Sequence, residues 1–325
     1  MRSKLKCSVA MATFNGESFL SEQLDSFSRQ SRLPDELVIC DDRSTDSTLS
    51  ILQEYSNSAP FEIKVIANDS NLGYLKNFEK AIAHCSGDII FLSDQDDFWL
   101  DNKIYLIEKF FLAHPAVWLL KTDMFLADQE LNRSGLTQLE NIVNSGLPAS
   151  RLFAGCGLAF RRSFADFMLP IPEIHFGHDR WLAEAADALG AAALVDTPLM
   201  LYRRHGKNES QALSSSLSPV SWLDGFREAG FSDASENWRR ERVFYELLEQ
   251  RLSSRRLCLE EMVEVGAVSS AISQLSEKQQ RLDARITLVR RHRALRWIGV
   301  AKFWMRGGYD QFSSWKSALK DAVRP

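Results

Sequence analysis

Apolar positions along the first 115 residues fall into short continuous runs, each followed by a longer stretch with helical spacing. Residues 7–13 (CSVAMAT) read as a buried strand, and residues 17–30 as a helix with Phe19, Leu20, Leu24 and Phe27 on one side. Pro34 breaks the chain before a second strand at 36–40 (ELVIC). A helix is expected over 46–56 with Ser44 or Thr45 as its cap. A third strand follows at 61–67, then the turn Asn71-Leu72-Gly73 into a helix ending near Gly87. Residues 88–92 (DIIFL) give a fourth strand, 101–113 a helix and 116–126 another strand.

The middle is less regular. Residues 128–150 read as a polar loop or small insertion, 155–160 (GCGLAF) as a strand, 179–190 as a helix closed by Gly190, and 192–203 as a strand around Pro198. From about 209, SQALSSSLSPVS reads as a linker, and 235–295 is helical in composition with few Gly or Pro. The chain thus divides into a domain at 1–208 and a linker with a helical region at 209–325.

Strand–helix alternation with nearly continuous apolar strands predicts an α/β fold, a mostly parallel sheet flanked by helices. In such sheets ligands bind beyond the carboxyl ends of the strands. The polar clusters sit there: Thr13-Phe14-Asn15 after the first strand, Asp41-Asp42 after the second, and Asp94-Gln95-Asp96-Asp97 after the fourth.

Composition changes this picture at one end only. The net charge of −4 is unevenly spread: residues 281–325 hold 11 Lys and Arg against 3 Asp and Glu. A basic tail on an acidic body points to an anionic partner. The five cysteines include no CxxC pair, and Cys7, Cys40 and Cys85 lie in or beside apolar runs, which predicts small hydrophobes in a reducing compartment. No leader-like apolar segment opens the chain and no apolar run spans a bilayer, so a cytoplasmic protein is expected, or one peripheral on the inner face of the cytoplasmic membrane.

The sharpest chemical signal is Asp94-Gln95-Asp96-Asp97. Carboxylates this close repel one another unless solvent or a cation compensates, and hard divalent ions favour oxygen ligands. A solvated acidic turn and a metal site both fit. Asp41-Asp42 is the second cluster; helix capping explains Ser44 to Asp46 but not two carboxylates at a strand end. Asp179 opens a helix, where the dipole by itself accounts for an acid; a general base presented at a cleft is the functional reading. His205 follows a strand and gains meaning only if the fold returns it to the acidic cluster. GxxxxGK[ST], GxGxxG, GxSxG and HExxH are all missing, which removes support for nucleotide hydrolysis, hydride transfer and serine hydrolysis.

In their order and spacing, VAMATFNGESFLSEQLDSF, LVICDDRSTDST, NDSNLGYLKNFEKAI, DIIFLSDQDDFW, GCGLAF, GHDRWLAEAADALG and LYRRHGKN resemble family 2 glycosyltransferases of the GT-A fold, particularly bacterial rhamnosyltransferase-like members, over about residues 5–208. The resemblance implies an inverting transferase that uses a nucleoside-diphosphate sugar and a divalent metal, Mn²⁺ or Mg²⁺. It places Thr13, Asn15 and Glu17 in the loop that holds the nucleotide and Asp42 at the base, with Asp41 beside it. Asn71 and Lys76 fall where the family approaches the nucleotide. Asp94 and Asp96 match the DxD pattern, with Asp96 as direct metal ligand; His205 matches a histidine near the metal and diphosphate, and Asp179 the catalytic base. It further suggests a dTDP- or UDP-linked donor, rhamnose among the sugars, and a glycan or lipid-linked acceptor in cell-surface polysaccharide synthesis.

The sequence departs from the family at Arg43, where a small residue, often Gly, is usual, and at Arg180-Trp181, where relatives often carry two aromatics. The QxxRW motif of processive synthases is missing. A nucleotidyltransferase is a rival reading, though its basic glycine-rich loop is missing from MATFNGES; a non-catalytic sugar-nucleotide or glycan-binding protein is another. Residues 286–306 mix Arg and Lys with Trp297, Phe303 and Trp304, which suggests peripheral contact with an anionic membrane or a helix with its basic face in water. No nucleic-acid recognition module accompanies the basic tail.

Overall fold

The computed structural model describes residues 4–173, 176–206, 208, 210, 212–228, 234–309, 312 and 315–323. Seven strands form the main sheet. In chain order its first half comprises β1 (Cys7–Thr13), α1 (Leu20–Ser28), β2 (Glu36–Asp41), α2 (Thr48–Ser56), β3 (Glu62–Ala67), α3 (Tyr74–His84) and β4 (Ile89–Ser93). These strands pair in parallel, β2 and β4 on either side of β1 and β3 beyond β2. Every residue of β2 and β4 is buried, as continuous apolar runs demand of a sheet covered on both faces. β3, by contrast, is an exposed edge.

α2 starts later than expected, and its capping differs. Ser44 donates backbone and hydroxyl hydrogens to Asp41, and Thr45 donates to Asn15, so neither caps the helix. Asp46 serves the first turn instead, accepting from the Thr48 amide at 3.0 Å.

The second half follows as β5 (Phe98–Trp99), α4 (Lys103–Ala113), β6 (Leu119–Thr122), β7 (Phe125–Ala127), β8 (Arg133–Thr137), α5 (Gln138–Asn144), β9 (Leu158–Arg161), α6 (Arg162–Met168), α7 (His178–Ala188), β10 (Ala192–Val195) and β11 (Met200–Arg203). Here the apolar runs split. The expected strand at 116–126 becomes β6 in the main sheet and β7 in a second, four-stranded sheet, order β5-β11-β7-β8. The run at 192–203 divides the same way into β10 and β11. The expected loop at 128–150 contains β8 and α5, and α5 opens with a capping box between Thr137 and Glu140. The expected strand at 155–160 begins as a turn of 3₁₀ helix at Gly155–Gly157; β9 then runs antiparallel to β4 and β6, the exception in an otherwise parallel sheet.

Among the described residues beyond 220 the regular elements are helices: α8 (Trp222–Glu228), α9 (Ser235–Ser254), α10 (Arg256–Glu260), α11 (Ala267–Val289), α12 (Arg293–Met305) and α13 (Trp315–Val323). Glu209 and Gln211, at the expected domain boundary and linker, lie outside the described residues. The rest of that segment is anchored: Asn141 donates to Ser216 O at 2.9 Å, and Gln138 to Ser215 Oγ at 3.2 Å. α9 and α11 share one apolar core with the main sheet, in which Trp181 of α7 meets Phe244 of α9 edge-on at 6.0 Å. Among the described residues no helix is long and apolar enough to cross a membrane. The segment 286–306 divides: Ile286, Leu288 and Val289 are core, and exposed apolar residues begin at Leu295.

Candidate active site

β1 lies between β2 and β4, so the loops leaving their carboxyl ends meet where the strand order reverses. Thr13 Oγ1 donates to Asp41 Oδ2 at 2.9 Å, and Gln95 clasps Phe14, accepting from its amide at 2.9 Å and donating to its carbonyl at 3.1 Å. Asn15 and Glu17 hold the loop before α2: Asn15 Oδ1 accepts from the Thr45 amide and Glu17 Oε2 from the Ser47 amide. Arg43 in that loop is exposed with φ 66°, a left-handed conformation that explains why glycine suits the position.

The two adjacent carboxylates differ. Asp41 is fully buried and shared between Ser44 and Thr13. Asp42 reaches the other way, accepting from the amides of Leu72 at 2.7 Å and Gly73 at 2.8 Å, while Asn71 Nδ2 donates to the Asp42 carbonyl. Lys76 is engaged elsewhere, donating to Ile171 O at 3.0 Å and pairing with Glu79.

At the end of β4 the carboxylates gather groups from the second half of the chain. His205 Nε2 lies 2.8 Å from Asp96 Oδ2, and its ring stacks on Phe19 at 4.6 Å. Asn208 also donates to Asp96 Oδ2, at 3.3 Å. The fold therefore returns His205 to the acidic cluster. Asp94, Asp97 and Cys156 each offer a donor atom within 4.8 Å of the others. Burial, then repulsion from Asp96 and Asp179, raises the Asp94 carboxyl to about 7. Asp97 is driven well above the usual carboxylate range by burial and then by Asp96 and Asp94. Its Oδ1 accepts from the Arg203 amide, whereas its buried Oδ2 has no hydrogen-bond partner. Burial also pushes the Cys156 thiol well up and the Lys103 ammonium down to about 8. Lys103 donates to Cys156 O at 2.7 Å over the Trp99 ring.

Asp179 stands at the first turn of α7, close enough to Asp94 for their charges to interact. His178 beside it is buried, stacked on Phe78 at 4.1 Å, and held below the usual histidine range by burial; neither ring nitrogen has a hydrogen-bond partner. The next residue, Arg180, ties α7 to the C-terminal helices: it donates to Glu241 at 2.8 Å, pairs with Glu184 and lies over Phe176 and Phe244.

Of the residues singled out in the sequence, Asp94, Asp96, Asp179 and His205 converge, and Thr13, Asn15, Glu17, Asp41, Asp42 and Asn71 build the adjoining loops. Asp97 and Gln95 were visible within the acidic run, without an assigned role. Cys156 and Lys103 carried no local signal, since only the pairing of β9 with β4 and the start of α4 bring them there. Crowded, partly unpaired acidic groups with a histidine at one edge are chemically suited to a divalent cation, which would offset their mutual repulsion.

Residues 8–166 match the family model described as Glycosyl transferase family 2. The chain is 32% identical over 149 residues to the putative glycosyltransferase EpsE of Bacillus subtilis, covering 46% of this chain and 53% of that protein. It is 40% identical over 98 residues to the dTDP-rhamnosyl transferase RfbG of Shigella flexneri, 29% of this chain and 34% of the relative. The match thus spans about half the length of the first relative and a third of the second. Among solved structures, S. aureus TarS 1-349 in complex with UDP superimposes with a TM-score of 0.58 at 15% identity, over 98% of this chain and 89% of that one, which establishes a shared GT-A fold.

Proposed function

Residues 8–166 are a glycosyl transferase family 2 domain on a GT-A fold, and on that premise we propose that this protein moves a sugar from a nucleoside-diphosphate sugar to an acceptor hydroxyl with inversion. The observation that carries the reading is the meeting of Asp94 and Asp96 with Asp179 and His205, drawn from three separate parts of the chain.

Asp179 takes the proton from the acceptor hydroxyl as that oxygen attacks the anomeric carbon. One face of the first-strand loop, with Thr13, Asn15 and Glu17, and the Asp42–Asn71 junction hold the nucleotide; Asp41 braces these segments through Thr13 and Ser44, and Lys76, on the helix that follows the junction, approaches the nucleotide from its contact with Ile171. Asp96 and His205 would hold a divalent cation, Mn²⁺ or Mg²⁺, which supplies charge neutralisation at the departing diphosphate. Asp94, Asp97 and Cys156 are the competing donor set. Sulfur is a soft ligand and a poor match for a hard ion, which favours the Asp96–His205 pair. Donor and acceptor held in line lose much of the entropic barrier, and no covalent sugar–enzyme intermediate is needed.

The relative named as a dTDP-rhamnosyl transferase supports dTDP-rhamnose as donor, and the UDP-bound neighbour supports a UDP-sugar as the alternative. The acceptor is a glycan hydroxyl of a growing cell-surface polysaccharide or a lipid-linked glycan.

Calorimetric titration of UDP, dTDP and GDP, with and without Mn²⁺, tests the reading. One nucleotide should bind in a metal-dependent way, and Asp96→Ala should weaken that binding by about 10–100-fold. A folded protein that binds none of the three would sink the proposal.

A further inference from the structure

From the end of α11 to α13, charged side chains are buried while large apolar ones face outward. Arg285, Arg296, Lys320 and Asp321 are all buried. Arg285 pairs with Asp321 at 2.6 Å, and Tyr309 donates to Asp321 at 3.0 Å. On α12 the inward stripe is Arg296, Val300 and the half-buried Phe303. The outward positions are Leu295, Trp297, Ile298, Trp304 and Met305, between 51% and 74% exposed. On α13, which packs on α12 through Val300, Ala318 and Ala322, the exposed residues Trp315, Leu319 and Val323 recur every fourth position as a single stripe.

Single exposed apolar residues are ordinary, but a contiguous set on one helix face opposite buried charges is not. Such a face is disfavoured in water and favoured where the surroundings are apolar. Its chemistry also selects the occupant. Arg291, Lys302 and Arg306 are exposed along its margin, and residues 281–325 carry a large basic excess. Arg291 and Lys302, with His292, Leu295, Ile298 and Gly299, line an open groove of about 450 Å³. A cationic rim over Leu295 and Ile298 matches a lipid headgroup phosphate above its first acyl carbons, and three tryptophans on these two helices suit the depth of a bilayer interface.

We propose that the outward face of α12, supported by the apolar stripe of α13, seats this protein on an anionic lipid bilayer, lying in the interface without crossing it. The inference goes beyond the transferase reading and does not depend on the sugar or the nucleotide. It also moves the contact from the whole of 286–306 to α12 and its flanks, because the end of α11 is core.

Flotation of the full chain with vesicles decides it, comparing phosphatidylcholine alone with phosphatidylcholine containing phosphatidylglycerol. The protein should float with the anionic vesicles, be released by added salt, and show a blue shift of tryptophan emission on binding. Ile298→Glu combined with Met305→Glu should lower vesicle affinity by about tenfold or more at an unchanged Tm and unchanged nucleotide binding. Lys302→Glu with Arg306→Glu should erase the preference for anionic vesicles, and this pair decides the matter if the first variant does not fold. Wild-type protein that floats with neither vesicle, or folded variants that float as well as wild type, would overturn the proposal. So would a dimer in sedimentation velocity that ignores vesicles and is split by Ile298→Glu, since the face would then belong to a second copy.

Discussion

The chain up to β4 and the chain after α4 are both rich in short apolar runs, yet only in the first does each run become one element. β1, β2 and β4 are each a single buried strand, and their helices return along the same sheet. After α4, the runs at 116–126 and 192–203 each cross from the main sheet to the smaller one, with Asp123-Met124 and Asp196–Leu199 as the joints. An apolar run records that a segment is buried; it does not record against which partner. The candidate site lies on the seam, with Asp94 and Asp96 in the loop that leaves the first part and Asp179 and His205 from the second.

The largest test of that division is Asp179→Asn. Turnover should fall by about 10²–10⁴-fold while nucleotide binding stays near wild type, because the binding loops belong to the first part. Unchanged turnover would remove Asp179 as the base and leave His205 as the second part's contribution to the site. Next comes Arg180→Ala, which strips Glu241 and Glu184 of a buried partner. Losing one member of such a network costs about 3–5 kcal/mol; Glu184 keeps Lys278 and Arg151, so the lower end is expected in denaturant unfolding.

The same network sets an acid limit. Burial alone would raise the Glu184 carboxyl, but Lys278, Arg180 and Arg151 overcome this and hold it below its ordinary 4.5. A depressed folded-state pKa gives stability that is present above 4.5 and lost as pH falls through the lower folded value. Melting temperature should therefore drop below about pH 4.5, and Glu184→Gln should flatten that drop; an identical acid profile in the variant would reject the assignment.

Smaller still is Gly157→Ala at the entry to β9. A Cβ there would lie 2.8 Å from Thr122 O and 2.7 Å from the Met124 side chain, and only the latter can move easily. A loss of about 1–3 kcal/mol is expected, whereas no loss would mean that the two strands adjust. The smallest effect is that of Thr137→Ala, which removes the capping box of α5 and should cost about 1 kcal/mol without altering nucleotide binding.

Much of this was legible in the sequence. Strand ends followed by Thr13, Asp41 and Asp94 located the crevice, since a parallel sheet presents those ends together. β8 and α5 were not legible, because 128–150 is polar and its Thr137–Glu140 cap was hidden among other polar residues. The cap of α2 was misplaced because Ser44 and Thr45 have a stronger use, as partners of Asp41 and Asn15. Cys156 and Lys103 join the site through strand pairing and a helix start far away in sequence, which no local pattern encodes.

The sequence by itself determined the strand–helix order of the first half, the position of its carboxylates at strand ends, the helical character of the C-terminal third and its basic charge. These rest on periodicity and composition, which act over a few residues. Tertiary structure decided which sheet each later run joined, that His205 returned to Asp96, that Arg180 tied the helix of Asp179 to the C-terminal helices, and that α12 turned its apolar side outward. Those outcomes depend on burial shared between distant segments, and a segment's own residues do not specify which distant surface completes it.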